Sequence, residues 1–171
     1  MWRDPQPLWT SPAGRVVQLG DAAHTFLPSS GNGGTQAIED AVSLATCISL
    51  AGDRARLPEA TRVHNLLRFE RVSCLQAYGV LNAEKANSGS DVKLDSVSEH
   101  MIHIGKWITH HDPELYAAEN YARAAASFHS GSAFLNTNVP YGISYEPWTI
   151  DGLREALRKK EATIFDSGDW S

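Results

Sequence analysis

Residues 14–45 read GRVVQLGDAAHTFLPSSGNGGTQAIEDAVSLA, and the order of residue types in this stretch decides the fold. Val16, Val17 and Leu19 form a short β-branched and aliphatic run of the kind that suits a buried strand, which Gly20 ends. From Asp21 to Gly34 the chain has loop chemistry, with Pro28, Ser29, Ser30 and the glycines Gly31, Gly33 and Gly34 close together. Ile38, Ala41, Val42, Ala45 and Ile48 then recur at three- and four-residue steps, which predicts a helix laid on a core by that apolar stripe.

A strand, a glycine-rich turn and a helix start bring backbone N–H groups and the positive end of a helix dipole to face one ligand without intervening side chains. Such a place suits an electron-rich group. Asp21 follows the strand's end, where a carboxylate accepts hydrogen bonds from the hydroxyls of a sugar or polyol. Gly20 and Gly31 allow flat or bulky groups to approach the backbone closely.

The run Gly20-Asp21-Ala22-Ala23-His24, then Pro28, Gly31-x-Gly33 and Glu39-Asp40-Ala41, resembles the second FAD fingerprint of class A flavoprotein monooxygenases, the p-hydroxybenzoate and salicylate hydroxylase group. The resemblance implies that Asp21 binds the ribityl chain of FAD and that Pro28 lies beside the isoalloxazine ring at the substrate pocket. It also implies that the amides of Gly34 and Thr35 face the flavin N1 and C2 carbonyl. Thr35 stands where many members carry Asn, which leaves a backbone contact unaffected. The implied cofactor-binding set is Gly20, Asp21, Pro28, Gly31, Gly33, Gly34 and Thr35, with no metal and no catalytic side chain in this stretch. Reduced flavin is anionic at N1 and C2=O, and a helix N-terminus stabilises such charge by on the order of 1 kcal/mol. The chemistry itself is the cofactor's: reduced flavin activates O2, while the protein orients the substrate and excludes water.

By this resemblance the fold class is α/β: a partial FAD-binding domain, p-hydroxybenzoate hydroxylase-like, with one or two strands and a mostly helical C-terminal portion. The implied activity is NAD(P)H-dependent hydroxylation of an aromatic or related cyclic small molecule, with FAD as cofactor and NAD(P)H as co-substrate. Residues 1–87 are assigned to the C-terminal part of the FAD-binding domain and residues 88–171 to a helical and irregular extension.

No GxGxxG unit occurs, and that motif holds the FAD pyrophosphate in complete family members. The expectation is therefore a C-terminal portion whose partner is the missing N-terminal Rossmann portion of the same enzyme, retaining FAD weakly or not at all when isolated. The alternative is a truncated, catalytically inactive paralogue acting as a helical interaction module. A hydrolase would need a GxSxG elbow and a nucleotide-phosphate hydrolase GxxxxGK[ST], and neither is present.

The remaining residues set the frame. A chain of 171 residues fits one domain of ordinary size, and a net charge of -5 argues against a nucleic-acid partner. Cys47 and Cys74 offer neither a disulfide framework nor a zinc spacing, and no apolar run is long enough to span a membrane, so a cytoplasmic protein with buried thiols is expected. Trp2 and Trp9 are expected to pack on a domain surface.

After a break at Ala51-Gly52-Asp53, residues 59–87 read as one long helix, with Val63, Leu67, Cys74, Tyr78 and Leu81 on a common face. Arg62, Arg68 and Arg71 alternate with Glu59 and Glu70, which predicts a solvated face with ion pairs in preference to a phosphate-docking site. Arg68-Phe69-Glu70-Arg71 also resembles an R-x-x-R pattern on the family's long helix. Residues 86–98 read as a surface loop, and residues 99–111 as an ambiguous helix. His100, His103, His110 and His111 are read as surface histidines and not metal ligands. Asp112 and Pro113 open a helix running to Phe128, and a last short helix spans about 152–162, with an aromatic-rich tail segment expected to wrap the domain.

Overall fold

The computed structural model describes residues 3–87 and 105–170. Five helices carry the fold: α1 (Gly33–Ala51), α2 (Leu57–Asn87), α3 (Lys106–Thr109), α4 (Pro113–Ser130) and α5 (Ile150–Lys159). Their ends obey local chemistry. Gly52 closes α1 in the left-handed region at φ 66°, where glycine has no Cβ to clash. The Asp112 carboxylate accepts from the amides of Glu114 and Leu115 at the head of α4, and the Thr149 hydroxyl accepts from Gly152 at the head of α5.

α2 is the spine. Its first half packs with α1 and α4 around Cys47, Ala51, Val63, Leu67, Ala117, Tyr121 and Ala124. Its second half, through Cys74, Ala77, Val80 and Leu81, meets Ile143, Leu153 and Phe165, with Trp107, Trp148 and Trp170 around them. The C-terminal tail therefore wraps α2, as its aromatic content predicts. Tyr145 and Trp148 both reach the Ser73 hydroxyl on α2, at 3.0 and 2.9 Å. Burial pushes both cysteine thiols up to about 12, so they are inert packing groups. No helix among the described residues is long and apolar enough to cross a membrane.

Three expectations need correction. The predicted strand at Val16–Leu19 does not form: the pairing there is a single antiparallel bridge, Thr10 to Val17, and the described residues contain no longer strand. A strand needs a second and third neighbour to satisfy its backbone and cover its side chains, and Val16 is instead 64% exposed. The fold described is thus mostly helical, without the one or two strands of an α/β sheet. Trp9 does not lie on a surface. It is 2% exposed in a small core with Ala23 and Val72, its amide donating to Asn65 Oδ1 at 2.8 Å. Trp2, His100 and His103 lie outside the described residues.

The third correction concerns the phase of α1. Its apolar stripe faces outward: Ile38 is 67% exposed and Ile48 43%. The buried side carries Gln36, Glu39, Asp40, Ser43, Cys47 and Ala51. Polar groups accept such burial only when hydrogen-bonded or paired, and α2 supplies the partners.

Candidate functional site

The site is built from the turn at Gly20, the loop from Pro28 to Gly31 and the head of α1. Leu19 arrives in extended backbone, and Gly20–Ala22 tighten into a 3-10 turn. Gly20 adopts φ +55°, and a Cβ there would stand 3.0 Å from Ala37 Cβ on α1, so only glycine permits both the conformation and the contact. The turn carries Asp21 to the surface, where no described protein group engages its carboxylate. Asp21 Oδ1 stops 3.8 Å from where a Cβ on Gly33 would be. The acidic group and the helix entrance therefore adjoin one another, with Phe26 flanking the same position, its Cβ 3.5 Å from where a Cβ on Gly33 would be.

Pro28–Ser30 form a second 3-10 turn that ends at Gly31 in the left-handed region, φ 66°. Asn32 stands at the N-cap but does not cap: its side-chain amide turns back to donate to the Ser30 carbonyl at 3.0 Å. The first bond into α1 is Gln36 N–H to the Asn32 carbonyl at 2.9 Å, so the amides of Gly33, Gly34 and Thr35 precede the helical ladder. Gly34 has no atom within 4 Å of its Cβ position, and both Gly34 and Thr35 are exposed. Pro28, also exposed, sits at the start of the loop leading there. The structure thus brings Gly20, Asp21, Gly33 and the Gly31–Thr35 entrance together, with Pro28 at the rim.

Behind this entrance lies a network that the sequence reading misplaced. Arg68 and Arg71 are 1% and 0% exposed, so they form neither a solvated face nor a phosphate-docking site. Arg68 donates from Nη1 to Glu39 Oε2 at 2.6 Å, from Nε to Asp40 Oδ1 at 3.0 Å and from Nη2 to Gln36 Oε1 at 2.7 Å. Arg71 Nε donates to Glu39 Oε2 at 2.8 Å, and Arg71 also donates to the carbonyls of Trp107 and Ile108. His111, predicted to be a surface histidine, is partly buried 4.0 Å from Glu39. Arg62 does stay at the surface, donating to the Pro12 carbonyl at 2.7 Å.

Asp40 joins the network to the site. Its Oδ2 accepts from the Gly20 amide at 3.0 Å and from His24 Nε2 at 2.6 Å. Burial works to raise the Asp40 pKa, but the His24 hydrogen bond, the Arg68 charge and the Gly20 amide outweigh it and hold the carboxyl at about 2. Burial likewise opposes ionisation of Glu39, and Arg71 and Arg68 lower its pKa nevertheless. The turn bearing Asp21 is thereby tied from Gly20 and His24 through Asp40 to Arg68 on α2. Gly79 on α2 is a further residue with no sequence signal: a Cβ there would press to 3.1 Å from Ser30 Cβ, so its absence lets the loop lie against the spine.

The geometry places complementary hydrogen-bonding groups side by side. A carboxylate that no described protein group engages stands beside an uncapped helix entrance with open space at the Gly34 Cβ position, an arrangement that can accept hydroxyl hydrogens and receive an electron-rich group. The comparisons with known proteins agree in class. A family profile described as "FAD binding domain" matches residues 10–56, which contain the whole entrance and α1. The relatives are more particular. The chain is 45% identical to the FAD-dependent monooxygenase mdpD of Emericella nidulans, over all of this chain and 33% of that protein. It is 47% identical to the FAD-dependent monooxygenase fsr3 of Gibberella fujikuroi, over 99% of this chain and 33% of that protein. Among solved structures, FqzB superposes with a TM-score of 0.71 at 29% identity, covering 85% of this chain and 33% of FqzB. CtdE in complex with FAD and a substrate superposes at 0.65 with 35% identity, covering 74% of this chain and 30% of CtdE. The chain spans about a third of the length of the curated relatives it matches. The fold thus corresponds to part of an FAD-binding domain, and the similarity is to flavoproteins of the monooxygenase class.

Proposed function

We propose that this chain contributes the flavin-facing turn and helix entrance of an FAD-dependent monooxygenase of the class A, p-hydroxybenzoate hydroxylase-like kind. Its activity is the NAD(P)H-dependent hydroxylation of an aromatic or related cyclic small molecule. The observation that carries the reading is the 3.8 Å separation between Asp21 Oδ1 and the Cβ position of Gly33, at a helix entrance that no side chain caps.

Asp21 holds the flavin's polyol by accepting its hydroxyl hydrogens. Gly33 and Gly34 keep the approach open, and the amides of Gly34 and Thr35 donate to the ring's N1 and C2=O edge, favouring negative charge there. Gly20 and Gly31 set the two turns that converge on the entrance, and Pro28 forms the rim on the substrate side. When bound, FAD would supply the redox chemistry with NAD(P)H and O2, which this chain's side chains do not.

The test is a titration of the protein with FAD to millimolar concentration, followed by flavin fluorescence, beside Gly34→Val. Outside the helix's own backbone and the flanking residues nothing lies within 4 Å of the Cβ position of Gly34, so a branched side chain is accommodated there while the ring's place is filled. The proposal expects FAD affinity to fall about tenfold or more, with an unchanged melting temperature. Equal affinity for the two proteins contradicts it.

A further inference from the structure

α1 and α4 pack on the same spine, yet their outer faces differ in kind. The outward side of α4 carries Glu114, Glu119 and Arg123, all exposed. α1 runs for 19 residues with two charged side chains, Glu39 and Asp40, and both are buried. Its exposed side is therefore uncharged along its whole length, with Ile38, Ala41, Ala45 and Ile48 in one stripe. A helix face that meets water normally carries charged groups, and a continuous apolar stripe marks a surface that another body covers.

A strand edge adjoins the stripe. The bridge between Thr10 and Val17 uses the Val16 carbonyl, which accepts from Ser11, and the Gln18 amide, which donates to Trp9. Alternate residues of an extended chain turn their backbone groups to opposite sides, so Val17 and Leu19 turn theirs away from the bridge. The Val17 amide and carbonyl and the Leu19 amide have no hydrogen-bond partner among the described residues. Such a row of free donors and acceptors is a template for one more strand. It leads directly into Gly20, whose Cβ position stands 3.0 Å from Ala37 Cβ, next to Ile38, so edge and stripe meet.

Size and chemistry identify what covers them. The chain spans about a third of the length of mdpD and of fsr3, so the relatives carry about twice as much chain again. The FAD-binding profile falls on residues 10–56, the stretch that holds both the edge and the stripe. We infer that the outer face of α1 and the free edge at Val17 and Leu19 form one docking surface for the rest of the same flavoenzyme, which supplies a pairing strand and an uncharged apolar layer. The identity of this partner rests on the flavoenzyme reading; the surface itself is read from α1 and the edge.

The experiment co-expresses the tagged full chain with the untagged portion of mdpD that lies outside its match to this chain, and measures how much of that portion is recovered. Ala45→Glu puts a charge on the stripe about three turns beyond Gly34, clear of the entrance. Val16→Lys puts one beside the edge, and Ala122→Glu puts one on the exposed side of α4 as a control. The parent and Ala122→Glu should recover the mdpD portion equally, and Ala45→Glu and Val16→Lys should recover about tenfold less, with the melting temperature of the isolated chain unchanged in each. The inference is overturned if the parent recovers none, if either Ala45→Glu or Val16→Lys recovers as much as the parent, if Ala122→Glu loses as much as they do, or if their loss follows a lowered melting temperature. It is also overturned if the parent forms a dimer that Ala45→Glu dissolves and the mdpD portion does not displace, since a second copy is then the occupant. Gly34→Val separates this inference from the flavin reading. A Gly34→Val complex that binds FAD as tightly as the parent complex contradicts the flavin reading and leaves the docking surface standing. Parent-level recovery by Ala45→Glu, with FAD affinity lost in Gly34→Val, overturns the docking surface alone.

Discussion

The two ends of one interaction, the entrance of α1 and its inward face, are built on opposite principles. Among the described residues the entrance carries no side-chain cap and no charge pair, Gly33 and Gly34 bring no side chain, and Asp21 beside it has no hydrogen-bond or ion-pair partner. The inward face, within two turns of the same helix, is saturated: Gln36, Glu39 and Asp40 meet Arg68 and Arg71 in a web of charge-assisted hydrogen bonds. The difference teaches where each free energy is placed. Unmet hydrogen-bonding capacity is left where a ligand can meet it, and the turn that must hold still is tied down by bonds that water cannot reach.

The comparison breaks most visibly at Arg68. Arg68→Met strands Asp40, Glu39 and Gln36 without their shared donor, and breaking a buried pair in this way costs on the order of 3–5 kcal/mol. Differential scanning calorimetry should record a fall in melting temperature on the order of 10 °C. Arg56→Met, which removes a surface partner of Glu59, should melt with the parent. Equal melting of the two variants contradicts the locked face.

The same face sets the response to acid. Burial, opposed by Asp40 and aided by Arg68, depresses the His64 pKa from 6.5 to about 4, and burial with Arg71 does the same for His111. Between those values the unfolded chain binds protons that the folded chain refuses, so stability rises with pH across the window and falls as pH drops from about 6.5 to about 4. For the fully buried His64 the loss is on the order of 3 kcal/mol. Asp40 adds a second loss lower down: its folded pKa of about 2 lies below its ordinary 3.8, so its contribution is complete above the upper value and disappears as pH falls through the lower one. Denaturant melts across pH should show two acid limbs, the upper one flattened in His64→Gln if that variant folds. A single limb below pH 4 contradicts the buried histidines.

How much of this was legible in the sequence differs by element. Gly52 and Asp112 mark helix ends by chemistry local to the chain, and the ends fall where they indicate. The glycine-rich run before α1 marks an open entrance because glycine's backbone freedom is also a local property. The phase of α1 was not legible. Ile38, Ala41, Ala45 and Ile48 form the better apolar stripe, and only the arginines on α2 make it favourable to bury Glu39 and Asp40 instead. Arg68 and Arg71 were misread for the same reason: three residues apart on a long helix, they look like a solvated row unless their carboxylates, some thirty positions earlier, are known to face them. Val16–Leu19 has strand chemistry, but a strand is a property of its neighbours, and here a single bridge is the only pairing described.

The most direct test of the account asks whether the free end binds while the locked end supports. FAD affinity and melting temperature are measured for the parent and for Asp21→Ala, whose carboxylate touches no described protein group. The account predicts a loss of FAD affinity of about tenfold with no change in melting temperature. Unchanged affinity, or a lowered melting temperature that accounts for the loss, contradicts it.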